Sequence, residues 1–560
     1  MAVAVLALAG AGLVLLSTAR YGAGLSPDSV DYLDVARSLV SGKGFVLHTG
    51  EPLVWYPPLY PMLLALIGFA TRLDPTAFAH LVNAVLFALV ICLSARLLQP
   101  DSRQTPTYRV LGLCAVLLSV PLSQVYGWAW SECLFIPLVL LYLVFAQRYW
   151  DSGGVLALAV MTLSTALACL TRYIGVALVP AGVLTIILAS GVNTKTRFTR
   201  AFIFAALSLA PLGLWMVRNY RLTQTLFGGR GPLQKTLADN VIAGAKAVLS
   251  WYAFGLVSKL VGLAGIAVLI VIVLSARSAT RRVKSSLKTI LIGHSPAVIL
   301  LATYFVVLLV AATRDAVIDY RMLSPLYVPA TLILLKLGSY LLSPTQDIPN
   351  AVAGKVPAVL LALWLCFPLQ NVASATAGRF KNGAGGYSTE TCRESKTVAY
   401  VKQMLSTNDD VPVYSNDPLG LWALARIDAN FSPSKTAFSQ YRLTARSLGD
   451  LIGRWPPEGE ACLVWFNVDI AWLFSVEELK EVANVVEVAH FADGTVYRVS
   501  IRGAEVRDSS TRGETILPSQ CPLRACPMKA DRPLATQGET GATRYCRADA
   551  RSFLLATDSL

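Results

Sequence analysis

The chain has 560 residues, 55% of them hydrophobic and only 15% charged, with a mean hydropathy of +0.56. That balance excludes a soluble globular enzyme and selects a membrane protein. The net charge of +14 sits largely in short loops between apolar runs, and no basic and aromatic module accompanies it, so no nucleic acid is expected as a partner.

Eleven apolar runs approach the roughly 20 residues that a helix needs to cross hydrocarbon. They cover residues 2–19, 76–95, 110–126, 133–147, 154–171, 174–190, 201–217, 257–275, 289–312, 324–342 and 356–373. The first has no basic leader and no small-residue cleavage site before Tyr21, so it is expected to be a helix and not a signal peptide. With the N-terminus inside, the basic residues of the short loops, from Arg96 and Arg103 through Arg148, Arg200 and Arg282 to Lys355, fall on the cytoplasmic side.

The first external loop, residues 20–75, opens with GLSPDSVDYLDVARSLVSGKGF (24–45). Ser26 as N-cap and Pro27 at the first position predict a helix advancing about 100° per residue. Asp31, Asp34 and Arg37 then share a polar side, whereas Asp28 lies within roughly 40° of Tyr32, Val35 and Leu39 on the apolar face. A first-turn carboxylate complements the helix dipole by about 0.3–1 kcal/mol, which would by itself explain Asp28. Next, HTGEPLVWYPPLYPMLL (48–64) carries four prolines that stop any long helix before a short apolar one.

The charged motifs near helix ends fall on the same side as Asp28. They are Glu132 in YGWAWSE, Arg172 and Tyr173 in LTRYIG, Arg218, Asn219 and Arg221 in VRNYR, and Arg314, Asp315, Asp319, Tyr320 and Arg321 in TRDAVIDYRMLSPLY. A lone Arg218 reads equally well as a side chain snorkelling to the interface. Glu132 and Arg172 stand in very short turns, where an unpaired charge at hydrocarbon depth costs about 2.5–3.5 kcal/mol, so they are expected to pair or to face a polar cavity.

Residues 222–256 read as a second external loop, and FGGRGP within it is no phosphate loop, lacking a preceding strand and a Lys-Ser/Thr pair. Residues 1–373 form the membrane part. Residues 374–502 predict a small extracytoplasmic α/β domain from strand patterns at 411–416, 460–467 and VVEVAHF and TVYRVSI, with an amphipathic helix at 476–485. The polar tail 503–560 has the composition of disorder. Cys392 and Cys462 share the outer domain and would pair in an oxidising compartment. The four histidines are scattered, so no metal or other cofactor is indicated, and His48 alone lies near the charged motifs.

Arginines suit an anionic phosphate, and an acid within reach of a hydroxyl or amine suits a general base. Together they fit transfer of a sugar from a lipid-linked phosphate. The stretches DSVDYLDVARSLVSGKGF, EPLVWYPPLYP, WSECLF (130–135), LTRYIG (170–175) and IDYRMLSPLYVP (318–329) resemble, in order and over residues 1–375, the polyprenyl-phosphate-dependent GT-C glycosyltransferases. The branch is that of protein O-mannosyltransferases and aminoarabinose transferases. The resemblance implies an α-helical polytopic membrane protein of about 11 transmembrane helices, sited in the plasma or inner membrane with its active site outside the cytoplasm. It implies Asp28 as catalytic base, Glu132 orienting an arginine or the acceptor, and Arg172 and Arg321 on the donor phosphate. Tyr32, His48, Tyr173, Arg218 and Tyr320 are candidates for the substrate cavity. Ser29 stands where many relatives carry a second acid directly after the first. The implied partners are a lipid-linked sugar donor, an envelope acceptor (protein, lipid or polysaccharide) and the bilayer, with transfer by inversion. The alternative is a transporter or flippase of lipid-linked sugars, against which stand the absence of an internal repeat and the gathering of charges at one face.

Overall fold

The computed structural model describes residues 1–98, 105–190, 192–228, 235–252, 295–313, 317–341, 356–406, 411–435, 447–468 and 470–502. It divides into a helical unit that ends at Gly385 and a small α/β unit that starts at Gly386. The expected run 257–275, Arg314, Asp315 and the tail 503–560 lie outside the described residues.

In the helical unit, α1 (Ala2–Ser17) is followed by α2 (Pro27–Val40), α3 (Leu59–Thr71) and α4 (Pro75–Leu97). Then come α5 (Pro106–Leu117), α6 (Val120–Tyr126), α7 (Glu132–Ser152), α8 (Val155–Thr171), α9 (Leu178–Leu188) and α10 (Thr194–Thr223). The unit closes with α11 (Leu237–Tyr252), α12 (Ser295–Ala312), α13 (Tyr320–Leu323), α14 (Tyr327–Leu341) and α15 (Val356–Asn382). Six of the described helices are long and apolar enough to span a bilayer, and the α5–α6 pair makes a seventh if counted as one span, so this is a multi-pass membrane protein. The runs at 2–19, 154–171 and 174–190 fold as shorter apolar helices.

Capping explains many starts. Ser26, Asp74, Thr105 and Ser119 each accept a backbone N–H in the first turn of their helix, and a proline occupies N1 or N2 in all four. The expected run 110–126 is broken: α5 and α6 meet at 47°, because the Ser119 cap and Pro121 start a new helix where the old one would have continued. The run 174–190 opens with a 3-10 turn at Tyr173–Ala177, where Gly175 passes so close to Ala168 that a Cβ would lie 2.6 Å from its carbonyl. The core lies around α7, whose Phe135, Ile136, Val139, Leu140, Tyr142 and Tyr149 are fully buried.

Two contacts set the site. Gly24 pairs in parallel with Trp128, donating to Gly127 O at 2.8 Å and accepting from Ala129 N at 3.0 Å. A side chain at position 24 would meet the Trp128 ring at 2.8 Å, so glycine lets the start of α2 lie against the start of α7. On the other side, Asn240 of α11 accepts from Ile318 N at 2.9 Å and Asp319 caps α13 through Met322 N at 2.9 Å, which fixes the turn carrying Arg321.

The α/β unit has a five-stranded sheet ordered β2-β1-β3-β5-β4. Its elements are α16 (Glu390–Arg393), α17 (Lys396–Leu405), β1 (Val413–Ser415), α18 (Pro418–Ala425), β2 (Asn430–Phe431), β3 (Glu460–Phe466), α19 (Val476–Val482), β4 (Ala483–Phe491) and β5 (Gly494–Ile501). β1 runs parallel to β2 and β3, while β3, β5 and β4 are antiparallel. Alternation along β3 sends Ala461 and Leu463 to a core under α19 and Cys462 and Val464 to one under α17 and α18. The helix expected over 476–485 stops at Val482, since Val485 and Val486 pair with Val499 and Arg498 as strand. Cys392 and Cys462 do not form the expected disulfide with each other, because Cys462 is buried in the core, where burial pushes its thiol up to about 12.

Candidate active site

Asp28, Tyr32, Glu132, Arg172 and Arg321 come together around the starts of α2, α7 and α13. Arg321 is the hub: its Nε donates to Glu132 Oε1 at 2.9 Å and its Nη2 to Asp28 Oδ2 at 3.0 Å. Arg172 Nη1 lies 2.8 Å from Glu132 Oε2 and donates to Ser131 Oγ at 3.0 Å. Glu132 is completely buried, so its carboxylate neutralises two guanidinium groups where water does not reach. The Tyr32 hydroxyl shares Ser131 Oγ at 3.2 Å. Arg321 also stacks on Trp130, with Cζ 3.8 Å from the ring centroid, and Trp130 Nε1 donates to Ser26 Oγ at 2.8 Å. Tyr320 is at the margin, its ring 6.4 Å from that of Trp130.

Tyr56, Trp130 and Ser131 did not figure among the candidate residues read from the sequence. Tyr56 donates to Asp28 Oδ1 at 3.1 Å, so both oxygens of Asp28 are oriented, one by Tyr56 and the other by Arg321. Burial, and then the charges of Asp28 and Asp31, raise the Tyr56 hydroxyl well above its usual range, which keeps it a donor. The only sequence signal for it was its place in EPLVWYPPLYP. If this contact orients the base, Tyr56→Phe lowers kcat about 10- to 100-fold, since a hydrogen bond to a charged group contributes about 1.5–3 kcal/mol, with KM little changed; steady-state kinetics check it.

Three candidates fasten the segment 41–58 instead of reaching Asp28. His48 Nδ1 lies 2.5 Å from Asp34 Oδ2. Tyr173 Oη donates to Val54 O at 3.0 Å, and Arg218 donates to Leu53 O and to Phe45 O while stacking on Trp215. Asn219 Nδ2 adds a contact to Val54 O at 3.4 Å.

The wheel's polar side does not face water. Asp28, Asp31 and Asp34 are all buried, and His48 of the segment 41–58 and Asp74 and Thr76 at the start of α4 close over Asp34 and Arg37. Asp34 is met by His48 and by Arg37 Nη1 at 2.9 Å, and Arg37 reaches Asp74 with Nε at 2.7 Å and Nη2 at 2.9 Å. Burial alone would raise the Asp74 carboxyl, but bonds from Arg37 and Thr76 prevail and hold it well below the usual carboxylate range. Asp31 differs: burial first, then the charges of Asp28 and Asp34, raise it well above its ordinary 3.8. An acid raised on folding stabilises the fold below its ordinary value, and that contribution is lost as pH rises through the folded value. Asp31→Asn is therefore expected to flatten the fall in stability as pH rises above about 4, read as melting temperature in detergent; an unchanged slope contradicts this.

Among the described residues no group of three or more His, Cys, Asp or Glu is arranged to hold a metal ion.

No protein-family model matches the chain, and no curated protein sequence does. Among solved structures, ArnT from Cupriavidus metallidurans in the apo state is similar at a TM-score of 0.57 and 13% identity, over 87% of this chain and 96% of that one. The same protein bound to undecaprenyl phosphate gives a TM-score of 0.52 at 14% identity, over 88% and 97%. At such identities the likeness speaks to architecture, and on it the chain has the GT-C membrane fold that its sequence resembles.

Proposed function

We propose that this protein is a membrane glycosyltransferase that moves a monosaccharide from a polyprenyl-phosphate donor to an acceptor on the extracytoplasmic side. The observation that carries it is the Asp28–Arg321–Glu132–Arg172 constellation, an oriented carboxylate beside two buried arginines, on a fold shared with a protein that has been solved with undecaprenyl phosphate. Arg321 leaves its Nη1 hydrogens without a hydrogen bond among the described residues, and these suit a phosphate oxygen. In the proposed step an acceptor O–H or N–H attacks the anomeric carbon while the C1–O bond to the phosphate breaks. Asp28 takes the acceptor proton, and the electron pair leaves on the phosphate, where Arg321 and Arg172 stabilise it. A single displacement inverts the anomeric centre and leaves no sugar on the enzyme. Glu132 holds the two arginines side by side.

Trp130 beneath Arg321 supplies a reporter. Titrating undecaprenyl phosphate into purified protein in detergent should change tryptophan fluorescence, and Arg321→Ala should weaken binding by about 10- to 100-fold, as expected for loss of charge-assisted hydrogen bonds. Wild-type affinity in that variant would remove Arg321 from the phosphate site. Donor moved across vesicles with no sugar transferred would favour the transporter.

A further inference from the structure

Asp28, Asp31 and Asp34 follow one another at single helical turns, about 4.5 Å apart along the axis of α2. Asp34 has Arg37 and His48, and Asp28 has Arg321 and Tyr56. Asp31 is 6% exposed and makes no hydrogen bond or ion pair with any described residue. On a helix advancing about 100° per residue, Asp31 lies one turn along the axis from Asp28 and about 60° around it.

A leucine of similar size would fill the space of this side chain without a carboxyl to desolvate. We propose that Asp31 is a binding residue for hydroxyl groups of the transferred sugar, an inference that rests on the donor reading above. With no cation beside it among the described residues and two acids one turn away, the carboxyl is held toward its protonated form. A protonated carboxyl presents one donor and one acceptor, which complements a sugar hydroxyl that is itself donor and acceptor. A cationic ligand would need the ionised form, which this setting disfavours. Lying one turn beyond Asp28, Asp31 would hold the sugar ring while Asp28 meets the acceptor.

The test compares affinities for bare undecaprenyl phosphate and for undecaprenyl phosphate carrying mannose, arabinose or galacturonic acid, in wild type, Asp31→Leu and Asp31→Asn. Wild type should prefer a sugar-bearing donor. Asp31→Leu should lose about five- to tenfold of that preference, the effect of a hydrogen bond or two, while keeping wild-type affinity for bare undecaprenyl phosphate, which also shows that it is folded. Asp31→Asn, isosteric with the protonated acid, should keep most of it. An undiminished preference in Asp31→Leu, or no preference in wild type, overturns the proposal. So does an Asp31→Asn loss as large as that of Asp31→Leu, because the charge would then matter and the site would take a cation. If wild type binds neither lipid, the donor reading itself fails.

Discussion

Asp28→Asn protein is expected to bind its donor with near wild-type affinity and to transfer sugar about 10²- to 10⁴-fold more slowly, the range over which a positioned general base acts. The amide keeps the shape of the side chain and can still accept from Tyr56 or Arg321, but it cannot take the acceptor's proton. Arg321 is not released by the change, because Glu132 holds its Nε at 2.9 Å independently of Asp28. Loss confined to kcat distinguishes a base from a residue that merely completes the fold. Transfer kinetics with a parallel donor titration read the two quantities, and a large rise in donor Kd with kcat intact would move Asp28 from the chemistry to binding.

Glu132→Ala should have the largest effect on stability. It removes a completely buried carboxylate that, among the described residues, alone touches both Arg172 and Arg321. Breaking a buried ion pair from one side costs about 3–5 kcal/mol, because the remaining charge is left without compensation. Here two guanidinium groups are stranded, although Arg321 retains Asp28 and Arg172 retains Ser131. Thermal unfolding in detergent should show a markedly lower melting temperature for Glu132→Ala and a smaller drop for Glu132→Gln. Adding Arg172→Leu to Glu132→Ala should cost less than the sum of the two changes, since the second removes a charge that the first left unpaired. Full additivity would mean that the pair is not coupled.

How much of this was legible in sequence follows from what each residue needs. The α2 helix was readable because its signals are local: Ser26, Pro27 and the spacing after them lie within a few residues. Asp28 was singled out by the wheel, but its contrast with Asp31 and Asp34 was misjudged. A wheel treats a helix as if one side faced water, and it cannot see that the start of α4 and the segment 41–58 close over the other side. Glu132 and Arg172 were expected to pair or face a cavity, and they pair. Glu132 to Arg321 spans 189 residues, a contact between α7 and α13, whose preceding turn Asn240 fixes from α11. Tyr56 was missed because a tyrosine among prolines carries no periodic signal. The sheet strands were visible through period-two alternation, whereas the two-residue β2 is too short to alternate and the end of α19 depends on cross-strand pairing.

The most direct test is mass spectrometry of purified wild-type and Asp28→Asn protein incubated with a panel of polyprenyl-phosphate sugars and envelope acceptors. The account predicts free polyprenyl phosphate and a glycosylated product in matching amounts from wild type with at least one donor, and neither above background from Asp28→Asn. Equal turnover by the two proteins would contradict the role given to Asp28. Intact donor throughout, with the lipid-linked sugar carried across vesicles, would contradict glycosyl transfer itself.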